Sequence, residues 1–288
     1  MGSGTAGAGL GTWLVAGHGS VGAALASRLS EAGAGVLVYD PSPRVALTKG
    51  ERVSADDLEG ALLAGAMSAV PPRQAAAAME VIARSDVPDG LLLDWNTLPP
   101  DAKRALASKS RTKMVDVALL DSLDRGRADT FVAISGAEPE PAAGLLRSIG
   151  FEVTVVGDAC GEAAFVKMTR SLFMKSLEAL VLEYGAVTAS SPAGDILRRS
   201  LERSLGTECV EFFDLLQRTN RLHAKRRADE LVEVLGVFEG DFPGLVVAPA
   251  ATSLLTRVAN AWAEDDSPAP DAPVAELMAF LQSRLHDH

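Results

Sequence analysis

Only two cysteines, Cys160 and Cys209, occur in the 288 residues. That is too few for a disulfide framework, and they lack metal-ligand spacing, so the expectation is reduced thiols in a reducing cytoplasm. No apolar run approaches the roughly 18 residues a membrane span requires. Basic charge is scarce: 27 Lys and Arg stand against 38 Asp and Glu, a net charge of −11. No basic cluster is longer than Lys225-Arg226-Arg227, so a nucleic-acid partner would meet net repulsion. The opening residues 1–11 have neither a basic n-region nor an apolar h-region and read as a flexible leader. The chain contains no internal repeats, and its Ala-rich stretches are helix-forming composition rather than low complexity.

What is present suffices for two ordinary domains: 48% of the residues are apolar and 23% charged. In the first half, short apolar runs alternate with Ala-rich amphipathic stretches, the pattern of βαβ units around a parallel sheet. Strands are expected at Thr12–Ala16, Gly35–Asp40, Ala66–Val70, Leu91–Trp95, Met114–Leu119, Thr130–Ser135 and Glu152–Val156. Helices are expected at Val21–Ala32, Ala55–Ala64, Arg73–Arg84, Pro100–Ser108 and Glu140–Ile149. After about Gly157 strand-like runs almost disappear, which predicts a domain boundary there: 12–157 as an α/β domain and 158–288 as an all-α one. Helices are read at Glu162–Thr188, after Ser191-Pro192, at Glu208–Leu235, near Ala250–Ala263 and near Val274–Leu285.

The most specific local signal is Gly17-His18-Gly19-Ser20-Val21-Gly22. It follows the apolar run Trp13–Ala16 and opens an amphipathic helix, where a dinucleotide-binding fingerprint needs it. Gly17 permits the tight turn, Gly19 lets backbone N–H groups approach a pyrophosphate, and Gly22 allows close helix–strand packing. The acidic residue that such a unit requires follows at Asp40. Its carboxylate can accept both ribose hydroxyls and would repel a 2′-phosphate, so NAD is favoured over NADP. Arg44, four residues on, keeps NADP open as a partner for a 2′-phosphate. His18, between the glycines, reads as a spacer beside the cofactor.

With the second half added, the chain resembles the β-hydroxyacid dehydrogenase superfamily, the relatives of 3-hydroxyisobutyrate and 6-phosphogluconate dehydrogenases. It looks most like the branch whose helical C-terminal domain was formerly of unknown function. The glycine turn and Asp40 carry part of the resemblance. Leu93-Asp94-Trp95-Asn96-Thr97-Leu98-Pro99-Pro100 is similar to the segment whose polar residues approach the nicotinamide ribose, which implies Asn96 and Thr97 as cofactor contacts. Val115–Ser122, followed by Ile134-Ser135-Gly136, is similar to the substrate-loop segment, which implies Asp121 and Ser122 at the substrate. Gly161–Lys167 is like the glycine-led motif that begins the interdomain helix and delivers the catalytic lysine, here Lys167. His223–Glu230 is similar to a basic run of the same branch. Three positions depart from the family pattern: Ala163 replaces the second glycine of the lysine motif, Ser171 an asparagine, and Leu120-Asp121-Ser122 a Ser-Gly-Gly. An acidic Asp121 where a carboxylate is usually bound would disfavour an anionic substrate.

Lys167, Ser171 and Lys175 recur at i, i+4 and i+8, so one helical face presents a cation, a hydroxyl and a second cation. An amine so placed can protonate the oxygen that gains negative charge as hydride reaches a carbonyl, or take that proton in reverse. The resemblance implies a Rossmann-like domain and an all-α domain that completes the site and forms a homodimer through its helices. The implied reaction is hydride transfer between nicotinamide and a small hydroxy acid or its carbonyl form. Two alternatives stay open: imine reduction, kept alive by Asp121, and a non-catalytic nicotinamide-binding regulator.

Overall fold

The computed structural model describes residues 9–42, 46–87, 90–121 and 130–285. The chain divides into two compact units, Met1–Lys167 and Met168–His288. The first is an eight-stranded sheet: β1 (Thr12–Ala16), β2 (Gly35–Tyr39), β3 (Glu51–Arg52), β4 (Gly65–Ser68), β5 (Leu91–Asp94), β6 (Lys113–Leu119), β7 (Thr130–Gly136) and β8 (Phe151–Gly157). The spatial order is β3-β2-β1-β4-β5-β6-β7-β8. Every neighbouring pair is parallel except β6 with β7. The chain runs outward from β1 through β2 to β3, then returns to β4 on the other side of β1. That reversal opens a crevice at the carboxyl ends of β1 and β4, the place where open α/β sheets bind ligands.

Helices α1 (Ser20–Glu31), α2 (Ala75–Ile82), α3 (Pro100–Lys109) and α4 (Pro139–Ser148) cover the sheet. β1 shows why both faces must be covered, since its last four residues are all buried. Trp13 and Val15 enter one core layer with Leu25 and Leu29 of α1 and Leu146 of α4. Leu14 and Ala16 enter the other with Ala78 and Ile82 of α2. The period of two thus splits one strand between two cores, and a Leu29→Ala change in such a core costs about 2–5 kcal/mol.

The expected α/β class with a helical second part is borne out. Three local expectations need correction. No helix forms at Ala55–Ala64. Asp57 instead accepts hydrogen bonds from both Ser54 N and Ser54 Oγ (2.8 and 2.7 Å), and Gly60 takes a left-handed φ of +71°. Short polar side chains bonding nearby backbone outcompeted the Ala/Leu helical pattern, while the fully buried Leu58 supplies the apolar contact. The two-residue edge strand β3 escapes notice because Glu51-Arg52 carries no apolar alternation. The sheet is also not wholly parallel, because β7 runs against β6.

The second unit is helical. α5 (Glu162–Thr188) begins in the first unit, followed by α6 (Gly194–Leu205), α7 (Thr207–Phe238), α8 (Val247–Trp262) and α9 (Val274–Leu285). The bounds of α5 and α9 match the sequence reading to the residue, although the buried face of α5 carries Lys175 and Glu178 while Phe173 and Leu180 of the expected stripe are exposed. The core of this unit contains Leu182, Leu231, Leu255, Val258, Leu277 and Leu281. Gly206, at φ +89°, ends α6 and opens α7. Among the described residues no helix is long and apolar enough to cross a membrane.

Candidate cofactor site and the lysine helix

The glycine turn sits at the carboxyl end of β1. Gly17 has φ +92°, and a Cβ there would collide with the carbonyl of Ala69 after β4. A Cβ on Gly22 would strike the Gly17 carbonyl oxygen, so α1 starts tight against the turn it follows. Gly19 differs: its φ is −71°, and a Cβ there would meet nothing within 4 Å. Open space therefore lies over Gly19, at an α1 N-terminus with no side-chain cap and no acidic residue in its first turn. Uncapped N–H groups facing open space suit an anion such as a pyrophosphate. Ser20 is exposed at the start of α1, and Val21 packs half-buried on the core.

Asp40 follows β2 directly, and its carboxylate is held by two backbone amides. His18 N donates to Oδ2 and Ser42 N to Oδ1, both at 2.8 Å. Arg52 of β3 donates to the Asp40 carbonyl at 3.1 Å and to the Ser42 carbonyl at 3.4 Å. The cation beside Asp40 that sequence reasoning missed is thus Arg52, delivered by β3. Arg44 lies outside the described residues.

His18 is buried, with 4% of its surface exposed. Its Nε2 accepts from Thr48 N at 3.3 Å, while Nδ1 is buried without a partner. Burial pushes its pKa below the ordinary histidine value; Asp40 opposes this and Arg52 adds to it. His18 therefore links the glycine turn to the stretch after Asp40, a larger role than a spacer.

At the end of β5, Asn96 is buried and fully engaged. Its Oδ1 accepts from Val70 N at 2.7 Å, and its Nδ2 donates to Ser68 Oγ at 2.9 Å and to Asp94 Oδ1. It thereby ties the loop after β5 to the loop after β4. Thr97 is exposed, and Lys167 Nζ donates to its Oγ1 at 3.0 Å. The resemblance-derived pair Thr97 and Lys167 is thus in contact within one unit. Beneath them lies Lys103 of α3, wholly buried between Asp94 and Asp116. The sequence reading did not single it out; the nearest signal was two aspartates each ending or interrupting an apolar strand.

Asp121 is half-buried just past β6, and Ser122 lies outside the described residues. In the helical unit, Lys175 is buried, donates to Ser171 Oγ and lies 3.1 Å from Glu230 Oε2. Glu230 also pairs with Arg226, and Arg227 pairs with the buried Glu178. The basic run of α7 is therefore matched against acids of α5 and α7. Among the described residues no group of three or more His, Cys, Asp or Glu is arranged to hold a metal ion.

No protein-family model matches the chain. An uncharacterized 28.5 kDa protein of Methanothermus fervidus is 30% identical over 146 residues, which are 50% of this chain and 57% of that relative's length. The solved structure of the conserved protein MTH1747, of unknown function and described as structurally similar to 3-hydroxyacid dehydrogenases, is 25% identical. It covers 85% of this chain and 95% of its own, with a TM-score of 0.71. The 3-hydroxyisobutyrate dehydrogenase of Mycobacterium tuberculosis, solved with L-serine, is 13% identical over 94% and 99%, with a TM-score of 0.73. An imine reductase of Aspergillus terreus is 15% identical over 86% and 93%, with a TM-score of 0.57. The chain thus has the fold of the β-hydroxyacid dehydrogenase superfamily, and the resemblance read from its motifs is supported.

Proposed function

We propose that the protein is an NAD(P)-dependent oxidoreductase acting on a small hydroxy acid or its carbonyl form, with Lys167 as general acid/base. The observation that carries this reading is the Lys167–Thr97 hydrogen bond, placed on the residue after Asn96 and in the same unit as the glycine turn. A nicotinamide cofactor, when bound, supplies the hydride. The residues present fit such a group: open space over Gly19, an uncapped α1 N-terminus, and a buried His18 Nδ1 with no partner. Gly17, His18, Gly19, Ser20, Val21 and Gly22 would hold the pyrophosphate, Asp40 the adenosine ribose, and Thr97 the nicotinamide ribose, with Asn96 holding the loop in place from below through Val70, Ser68 and Asp94. Lys167 would hold the proton at Nζ and exchange it with the substrate oxygen. The Asp40 carboxylate favours NAD over NADP.

Imine reduction is the second reading, favoured by the half-buried carboxyl of Asp121 past β6. We further propose a homodimer through the helical unit. On α5, Phe173, Leu180 and Val187 are all exposed at seven-residue spacing, which puts three apolar side chains on one face that a second copy would cover. The low cysteine count fits residence in the cytoplasm. The deciding experiment follows absorbance at 340 nm with both cofactors over hydroxy acids, aldehydes and cyclic imines. Turnover on hydroxy acids or aldehydes supports the first reading and turnover on imines alone the second. Cofactor binding with no turnover at all points to a regulator.

A further inference from the structure

We propose that Lys103 is a positioning residue that ties the loop after β5 to the leading turn of α5, and so sets where Lys167 stands. This rests on the proposed function above. Lys103 is 1% exposed, and its ammonium makes three close approaches: Asp94 Oδ2 at 2.7 Å, Asp116 Oδ1 at 2.8 Å and the Asp94 carbonyl at 2.9 Å. The carbonyl contact is a hydrogen bond, and the two carboxylate contacts are buried ion pairs. Each carboxylate gives one oxygen to Lys103 and the other to a segment of the candidate site. Asp94 Oδ1 accepts from Asn96 Nδ2. Asp116 Oδ2 accepts from Gly161 N at 3.2 Å and Ala164 N at 2.9 Å, where the positive end of the helix dipole favours an anion.

Gly161 completes the joint. Its φ is +102°, and a Cβ there would lie 2.7 Å from the Pro100 carbonyl, so α5 starts directly on the first turn of α3, the helix that carries Lys103. Lys167 follows Ala164 by one turn and returns to Thr97, three residues beyond Asp94. The loop and the helix are therefore joined twice, through the buried ions and through the Lys167–Thr97 bond. Burial pushes Asp94 upward despite Lys103, while Lys103 itself is held upward by the two carboxylates against the effect of its own burial. Replacing Lys103 alone by methionine leaves Asp94 and Asp116 as uncompensated buried carboxylates, so the variant lowers stability as well as freeing the loop, and the readout must separate the two effects.

The test is Lys103→Met, read by calorimetry with two ligands: the reduced dinucleotide that the wild type binds more tightly, and ADP-ribose, which lacks the nicotinamide. The emission of the bound reduced nicotinamide is read alongside. The glycine turn and Asp40 do not touch Lys103, so ADP-ribose affinity should stay within about two-fold. Dinucleotide affinity should fall by about five-fold or more, with emission shifted toward that of the free cofactor. Equal weakening of both ligands, or no change in either, overturns the proposal. Should Lys103→Met fail to fold, Asp94→Asn keeps the volume and the Lys103–Asp116 pair, and the same split between the ligands is expected. A wild type that binds neither ligand overturns the functional reading as well, whereas a wild type that binds both, with no split in the variants, overturns the positioning role alone.

Discussion

Lys167 Nζ and Thr97 Oγ1 are joined by a 3.0 Å hydrogen bond across 70 residues of sequence. As general acid/base, Lys167 should contribute about 10²- to 10⁴-fold to kcat, so Lys167→Ala should lower kcat by that order and leave cofactor Kd nearly unchanged. Lys167→Arg should not rescue it, because a guanidinium does not release its proton at working pH. Lys175, held by Ser171 and Glu230, is the contrasting case. Lys175→Ala should lower stability by about 1–3 kcal/mol, because it removes the Ser171 hydroxyl's donor and one of the two cations on Glu230, with a smaller effect on kcat. If the kcat losses were reversed, the assignment of the acid/base would be one helical turn or more out of register.

Gly19→Val should abolish cofactor binding while leaving the fold intact. A side chain at Gly19 meets no protein atom, and its φ of −71° suits any residue, so only a ligand over the turn would object. Circular dichroism and thermal melting should match the wild type while calorimetry registers no dinucleotide binding. Retained micromolar affinity would show that the turn serves the fold alone.

Asp40→Ala should narrow the preference for NAD over NADP by about ten-fold, equivalent to about 1–2 kcal/mol of repulsion removed from a partly solvated site. Arg52, which donates to the Asp40 and Ser42 carbonyls, places a guanidinium beside the position a 2′-phosphate would take. Adding Arg52→Ala should therefore weaken NADP more than NAD in competition binding. A wild type that binds NADP more tightly would overturn the NAD preference.

His18 should titrate below 6.5, because burial disfavours the imidazolium. Between its folded and unfolded values the native state holds fewer protons than the unfolded chain. The stability contributed by the neutral ring is therefore full above about pH 6.5 and is lost as acid drives a proton onto the buried imidazole. Proton NMR of the imidazole, assigned by its loss in His18→Gln, reads the value directly. An apparent pKa above 6.5 would contradict the burial seen here.

Much of this was legible in one dimension. The strand–turn–helix of Trp13 to Leu29 declares itself because a continuous apolar run gives way to a 3.6-residue period across GHGSVG, and both patterns are local. The long helices α5 and α9 were readable end to end for the same reason. The segment Ala55–Ala64 was misread because Ser54 and Asp57 could bond their own backbone, a competition that composition alone does not weigh.

The sequence by itself determined the class of fold and the glycine-rich strand–turn–helix, since each follows from residues adjacent or a helical turn apart. Tertiary structure alone decided which charges meet. Lys103, Asp94 and Asp116 come from a helix and two strands, and neither periodicity nor spacing distinguishes a buried lysine from the solvated ones around it. Arg52 reaches Asp40 only because β3 pairs beside β2, and Lys167 reaches Thr97 only because Gly161 and Asp116 seat the start of α5 on the sheet. The physical reason is the same in each case. Pairing of ions depends on distances of about 3 Å between residues far apart in sequence, and those distances exist only once apolar burial has closed the sheet.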